Sequence, residues 1–326
     1  MTTVLFTCHH VLRNKTTFAP VLERHGITVL QPEMIGQQFD AGQMIAMLPG
    51  VDVLIAGDDE IPRAVLEAGK AGGLKAIVKW GIGTDGIDKV AATELGIPVY
   101  NTPGVFSNEV ADLALTFLLL LCRPLHKMHA ATAAGGWAPV SGRTLSGLSV
   151  GIIGLGAIGR AIAARCGGFG MSVKGYDPVT IAPEELARVG VAEQVDLDTL
   201  LAASDVIFVA SALTATNRHM LDDTAFGKMK PGVFLINVGR GPLVDEEALV
   251  RALDSGKVGA AGLDVFEVEP LPMSSPIRRF DNIVYGCHNG SNTVQSVARI
   301  NTMTVGMTLQ VLGLDDPGKH PMNRVA

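Results

Sequence analysis

Short apolar runs recur along the chain and alternate with longer stretches in which apolar residues return every three to four positions. Runs of this length read as buried strands, and the stretches between them read as amphipathic helices. In the first hundred residues the predicted strands are 4–8, 27–30, 51–56, 75–79 and 97–100, with four helices between them. A second series runs through 149–153, 172–176, 206–210, 233–238, 259–264 and 283–286. Such alternation implies parallel sheets with helices on both faces, so the pattern predicts an α/β protein of two doubly wound domains. A helical pattern over 107–134 links the two series, with Ser107 or Asn108 as its cap and Glu109 and Asp112 favourable in its first turn. The last pattern, 294–312, reads as one helix returning to the first domain. The predicted division is residues 1–100 plus 291–326 against 101–290.

Composition narrows the function. At 326 residues the chain exceeds what one core usually organises, in keeping with two domains. The 26 Lys+Arg against 32 Asp+Glu give a net charge of −6 without a basic cluster, which argues against nucleic acid or an anionic membrane as partner. Four cysteines, Cys8, Cys122, Cys166 and Cys287, form no CxxC pair, so a reducing cytoplasm is expected. Met1 leads into Val4-Leu5-Phe6 without a basic flank, so no export signal is expected. The most apolar run, 113–122, is too short for a membrane span and reads as buried helix. No repeat or low-complexity segment is present.

Gly154-Leu155-Gly156-Ala157-Ile158-Gly159 follows the predicted strand 149–153 and opens a helix predicted over 160–169. Gly154 permits the tight turn, Gly156 lets a pyrophosphate approach the backbone, and Gly159 lets helix and strand pack closely. The next strand ends at Asp177, where a carboxylate accepts hydrogen bonds from adenosine ribose hydroxyls and repels a 2′-phosphate. NAD is therefore expected over NADP. A glycine turn beside an unrelated surface Asp is the competing reading, and strand, helix and acid together favour the cofactor. No turn in the first half carries such a fingerprint.

Several further blocks stand in order: Gly81-Ile82-Gly83-Thr84-Asp85, Asn101-Thr102-Pro103-Gly104, Asn237-Val238-Gly239-Arg240-Gly241, Asp264-Val265-Phe266-Glu267-Val268-Glu269-Pro270, and His288. With them the chain resembles the D-isomer-specific 2-hydroxyacid dehydrogenases, the phosphoglycerate dehydrogenase-like family, over residues 74–288. The resemblance implies a flavodoxin-like substrate-binding domain (1–100 plus 291–326), a Rossmann NAD-binding domain (101–290), and a homodimer formed through the NAD domains. The helix after Asn108 would contribute to that dimer, although burial within one subunit explains its apolar run nearly as well. Cys287-His288-Asn289-Gly290 departs from the family, which usually has Pro before the histidine. Ser211-Ala212-Leu213 departs where many members have His or Val followed by Pro and Leu.

Hydride transfer to a carbonyl leaves an alkoxide that needs a proton, and histidine serves in both directions near neutral pH. The resemblance assigns that acid–base role to His288. It makes Glu269 the carboxylate that fixes the imidazole tautomer and stabilises imidazolium, and Arg240 the group that pairs with the substrate carboxylate and polarises its carbonyl. It also implies substrate contacts from Lys79, Gly81, Ile82 and Gly83. Cofactor contacts are implied from Gly154, Gly156, Ala157, Ile158, Gly159, Asp177, Thr216, Val238, Gly239, Arg240, Asp264, His288 and Gly290. Taken alone, His288 would be an ordinary loop histidine, Arg240 a surface charge and Glu269 a turn acid. No metal is expected, because His9-His10 and the His126/His129 pair lack a carboxylate or cysteine to complete a ligand set. Cys287 and His288 make no nucleophile pair, since neighbours on an extended chain point to opposite faces.

Two other functions compete: a formate or phosphite dehydrogenase on the same scaffold, and a non-catalytic NAD-sensing corepressor. Formate dehydrogenases commonly have Gln where Glu269 stands, which favours the hydroxyacid reading. Among hydroxyacids, Ala56-Gly57-Asp58-Asp59-Glu60 places three consecutive acids where phosphoglycerate-type relatives offer arginines. Arg63 and Lys79 are the nearby cations. A small uncharged tail, as in glyoxylate or hydroxypyruvate, is therefore expected over a phosphorylated one.

Overall fold

The computed structural model describes residues 2–33, 38–314 and 320–326. Its strands are β1 (Thr3–Phe6), β2 (Thr28–Leu30), β3 (Val53–Ala56), β4 (Ala76–Lys79), β5 (Val99–Asn101), β6 (Ser149–Ile153), β7 (Ser172–Tyr176), β8 (Val191–Gln194), β9 (Val206–Val209), β10 (Val233–Asn237), β11 (Val258–Leu263), β12 (Ile283–Tyr285) and β13 (Asn323–Arg324). The chain forms two compact units, residues 1–105 with 293–326, and residues 106–292.

In the first unit the sheet order is β13-β5-β4-β3-β1-β2, with β1 to β5 parallel and β13 antiparallel to β5. The order 2-1-3-4-5 is that of flavodoxin-like sheets. Strands β3 and β4 are buried at every residue, which is why they read as continuous apolar runs rather than as alternation. The helix Val294–Val311 packs on β3, β4 and the helix Lys15–Glu23, so the last helical segment does return to this unit. Its buried face carries polar Asn301, Thr304 and Thr308. The threonines satisfy themselves by donating to carbonyls three and four residues back, and Asn301 Oδ1 accepts from Trp80 Nε1 at 2.7 Å.

The second unit is an all-parallel sheet in the order β12-β11-β10-β9-β6-β7-β8. Counting from β6 this is the Rossmann order 3-2-1-4-5-6 extended by one strand. Its core joins β9, β10 and β11 to the helices Leu197–Ala203, Asp223–Lys228 and Glu246–Asp254. Each of these three helices starts at an aspartate, Asp196, Asp222 or Asp245, whose side chain accepts an amide of the first turn. The opposite face is covered in part by Ser107–Cys122, whose Phe117 packs where any Cβ on Gly262 would lie 2.6 Å from the Phe117 Cβ.

The structure corrects several expectations. The helical pattern over 107–134 is two helices, Ser107–Cys122 and Leu125–Ala133, because Pro124 has no amide to continue the ladder and disfavours helical backbone at Arg123. The first of these is capped by neither Ser107 nor Asn108: Phe106 occupies the N-cap and makes no side-chain cap bond. The segment between β1 and β2 is likewise two helices, His9–Arg13 and Lys15–Glu23, broken at Asn14. Strands β8 and β13 escaped the apolar pattern because each lies at a sheet edge with mostly exposed or half-buried residues. Among the described residues no helix is long and apolar enough to cross a membrane.

All four cysteines are free thiols. Burial pushes Cys8 and Cys166 up to about 12 and also raises Cys122, whereas Cys287 is exposed. A thiol reagent applied to the native protein near pH 7.5 (roughly a unit below an ordinary thiol pKa) is therefore expected to modify Cys287 quickly and the others only on unfolding. A second fast thiol in the native titration would contradict this burial pattern.

Candidate active site

Parallel open sheets bind ligands where strand order reverses, at the carboxyl ends of the strands. In the second unit that point lies between β6 and β9. Gly154 leaves β6 at φ +96, and a Cβ there would stand 2.7 Å from the Ser211 amide nitrogen beyond β9. The helix begins at Ala157 rather than at 160, so Gly159 is already in its first turn, and a Cβ on it would meet the Gly154 carbonyl oxygen at 1.9 Å. A Cβ on Gly156, by contrast, would meet nothing within 4 Å. The first and third glycines thus hold turn and helix together, and the second leaves open space beside a helix N-terminus that no side chain caps. Gly156 and Ala157 are exposed there and Ile158 is half-buried. Free amides and a helix dipole beside a backbone of this shape fit a dinucleotide pyrophosphate.

Asp177 follows β7, and both its oxygens hold backbone: Oδ2 accepts from Leu155 N–H at 2.8 Å and Oδ1 from Val179 N–H at 3.0 Å. It therefore braces the glycine turn, a task its sequence position did not reveal, and each oxygen retains a lone pair for a ribose hydroxyl. Thr216, exposed in the loop after β9, lies with its Oγ1 3.2 Å from that of Thr214. Past β10, the Val238 amide donates to Val209 and the Gly239 amide to Asn237 Oδ1.

Arg240, Asp264, Glu269 and His288 all stand beyond the carboxyl ends of the neighbouring strands β10, β11 and β12. Arg240 is extended, its carbonyl accepts from Asn237 Nδ2 at 3.0 Å, and its Nη1 donates to Gly239 O at 2.9 Å. Next to it Gly241 lies against Phe266, where a Cβ would fall 1.9 Å from the Phe266 carbonyl carbon. Only a glycine lets the Arg240 turn touch the loop that carries Glu269.

His288 is not extended, as the sequence had suggested for residues 287–288, but sits at φ +54. Its amide donates to the Asp264 carbonyl at 2.6 Å, and its Nδ1 lies 2.7 Å from Glu269 Oε2. Glu269 Oε1 accepts from Phe266 N–H at 2.9 Å. The Asp264 carboxylate accepts from Asn289 N–H at 3.0 Å and Gly290 N–H at 2.9 Å. Burial raises its pKa above the ordinary carboxylate value, while those amides and His288 pull it back. Gly286 makes room for it, since a Cβ would stand 2.2 Å from Asp264 Oδ1.

In the first unit Lys79 is buried and its ammonium is engaged, donating to Asp58 Oδ1 and to Trp80 O at 2.9 Å each. Gly81, at φ +111, has its amide bonded to Thr102 Oγ1. The Ile82 carbonyl accepts from Asn101 Nδ2 at 2.8 Å, and among the described residues no hydrogen bond from the Ile82 or Gly83 amide is present. The three acids 58–60 do not form one repelling row. Asp59 is buried, receiving Thr7 Oγ1 and the amides of Phe39 and Gly57, so it fastens the turn after β3 to the end of β1. Arg63 is tied to Glu94 on the surface. Among the described residues no group of three or more His, Cys, Asp and Glu is disposed to hold a metal ion.

Sequence reasoning missed a second histidine–carboxylate contact, His219 with Glu267, and its neighbour Glu246. Glu267 lies within a block the sequence had singled out, but 48 residues separate it from His219, and no local pattern joins them.

Residues 115–290 match the family model described as the D-isomer specific 2-hydroxyacid dehydrogenase, NAD binding domain. The chain is 38% identical over 289 residues to the hydroxypyruvate reductase of Thermotoga maritima, covering 86% of this chain and 92% of that one. It is 36% identical to the D-3-phosphoglycerate dehydrogenase of Methanocaldococcus jannaschii over 83% of this chain but 51% of that longer one. The solved D-lactate dehydrogenase of Aquifex aeolicus, complexed with NAD and lactic acid, superposes with a TM-score of 0.83 at 28% identity, covering 95% of this chain and 96% of that one.

Because Asp177 braces the glycine turn and is expected from its sequence position to meet the ribose, Asp177→Ala is expected to weaken NADH binding by about tenfold, the loss of roughly one charge-assisted hydrogen bond. The preference over NADPH should narrow at the same time. Dissociation constants of both cofactors for wild type and variant measure this, and an unchanged NADH affinity would overturn the ribose assignment.

Proposed function

Because the chain belongs to the D-isomer-specific 2-hydroxyacid dehydrogenases and is an NAD-dependent oxidoreductase of small 2-hydroxy and 2-oxo acids, we propose that it acts on acids with a short uncharged tail, such as hydroxypyruvate or glyoxylate. NAD, when bound, supplies or takes up the hydride. The corepressor and formate or phosphite readings have no observation in their favour over this one.

The observation that carries the mechanism is the His288 Nδ1 to Glu269 Oε2 contact of 2.7 Å. A carboxylate at Nδ1 fixes the tautomer and favours imidazolium, which leaves Nε2 as the atom that gives a proton to the nascent alkoxide or takes one from the hydroxyl. Arg240 pairs with the substrate carboxylate and draws charge from the carbonyl oxygen. Asp264 acts on the backbone, holding the turn that aims His288. In the first unit, the amides of Ile82 and Gly83 are assigned to the substrate carboxylate.

The tail preference rests on Lys79. Its charge is already matched by Asp58 at 2.9 Å, and the side chain is almost fully buried, at 7% exposure. A phosphate dianion would have to compete with Asp58 for a single lysine. We assign the protein to the cytoplasm, where its free thiols would stay reduced. We also assign it to a homodimer through the NAD-binding unit, to which the half-buried Leu113, Leu119, Leu120 and Leu121 of Ser107–Cys122 would contribute.

His288→Ala is expected to lower kcat by roughly a hundredfold or more with little change in NADH affinity. In the reducing direction His288 must carry the proton, so activity is present at low pH and fades as pH rises past the loss of imidazolium. Glu269→Gln removes the anion that favours imidazolium, so that upper limit should move to lower pH. A profile identical to wild type would remove Glu269 from the mechanism. In a panel of 2-oxo acids at fixed NADH and ionic strength, kcat/KM for hydroxypyruvate is expected to exceed that for 3-phosphohydroxypyruvate. A preference for the phosphorylated acid would overturn the tail assignment.

A further inference from the structure

Two non-glycine residues among those described adopt left-handed backbone, His288 at φ +54 and His219 at φ +53. Such backbone is uncommon for residues other than glycine and persists only where its surroundings hold it. Both meet the same short loop: His288 Nδ1 faces Glu269 at 2.7 Å, and His219 Nε2 faces Glu267 Oε1 at 2.7 Å. The His219 backbone is fixed by its amide, which donates to Pro242 O at 2.8 Å in the turn that follows Arg240.

Glu267 is also bound on its other side. Its amide donates to Glu246 Oε1 at 2.7 Å, and its own Oε1 accepts from the Glu246 amide at 3.2 Å. Glu246 opens the helix Glu246–Asp254, whose cap Asp245 and buried Ala248, Leu249, Ala252 and Leu253 root it in the core. The exchange therefore ties the middle of the 264–270 loop to a rigid element. The charged groups facing Glu267 are Arg218, at 4.0 Å, and His219, with Glu246 opposite and Glu269 two residues on. Burial, followed by the charges of Glu267 and Glu269, raises the Glu246 pKa, while the Glu267 amide pulls it back, so three carboxylates are held close at an electrostatic cost.

We propose that Glu267 is a positioning residue for proton transfer: bound by Glu246 and faced by His219, it holds the loop so that Glu269 stays in contact with His288. It acts through Glu269 and does not touch substrate. The inference rests on the assignment of Glu269 and His288 as the proton-transfer pair.

The test is a double-mutant cycle with pH profiles for hydroxypyruvate reduction by the full chain. E267A is expected to lower kcat by about tenfold with KM for the oxo acid and for NADH little changed, because loss of alignment by fractions of an ångström falls on the chemical step. The upper pH limit of activity should shift down, as is expected for E269Q. E267Q, whose amide oxygen still accepts from Glu246 N–H, should restore most of kcat. In an E269Q background E267A should cost nothing further, since the partner it positions is gone. E246A, which removes the acceptor for the Glu267 amide and leaves Glu267 whole, should reproduce E267A and carries the test if E267A does not fold. Losses that multiply in the double variant, or a lowered Tm with kcat and pH profile unmoved, would overturn the proposal. An E269Q enzyme with wild-type kcat and pH profile would overturn the underlying assignment as well, and is distinguishable because it appears in the single variant.

Discussion

The buried carboxylate of Asp264 organises the loops around His288. It accepts the amides of Asn289 and Gly290, and its own carbonyl accepts the amide of His288. A carboxylate at 3% exposure is costly unless its hydrogen bonds are made, and the left-handed backbone at His288 persists only where its surroundings hold it. The three hydrogen bonds meet both requirements at one residue. The turn that presents His288 is thereby specified by a residue on the neighbouring strand, and Glu269 orients a ring whose backbone is already fixed.

Around that anchor the site is built from backbone touching backbone. Gly154 against Ser211, Gly239 against Ser211 and Gly241 against Phe266 each place a would-be Cβ within 3 Å of main-chain atoms. These contacts lie beyond the ends of adjacent parallel strands, where the loops leave the sheet at the same edge. Side chains would wedge the loops apart, so glycine is what allows them to meet. The same crowding appears in the first unit between Gly57 and Cys8, with Asp59 fastening that turn.

Charge is handled differently in the two units. In the second, carboxylates gather around two histidines and are stabilised by amides, which suits a reaction that moves a proton. In the first, one lysine is matched by one aspartate, leaving a neighbourhood of little net charge beside Gly81.

Much of the fold was legible because parallel strands buried on both faces leave continuous apolar runs, and every central strand was found that way. The glycine turn and Asp177 were legible because their spacing reflects one local strand–turn–helix unit. Edge strands β8 and β13 were not, since exposed residues carry no such run. The break at Pro124 was written in the sequence but hidden by helical periodicity on either side. Family likeness singled out Arg240, Glu269 and His288, yet it did not reveal the left-handed backbone of His288, the second role of Asp177 as a brace, or the burial of Asp59. Those depend on partners on other strands, and so does the pairing of His219 with Glu267. By itself the sequence determined the elements, their alternation and the residue types available for chemistry, because these follow from local periodicity and spacing. Only the tertiary structure decided which carboxylate meets which amide or imidazole, because loops distant in sequence are brought together by the order of strands in the sheet.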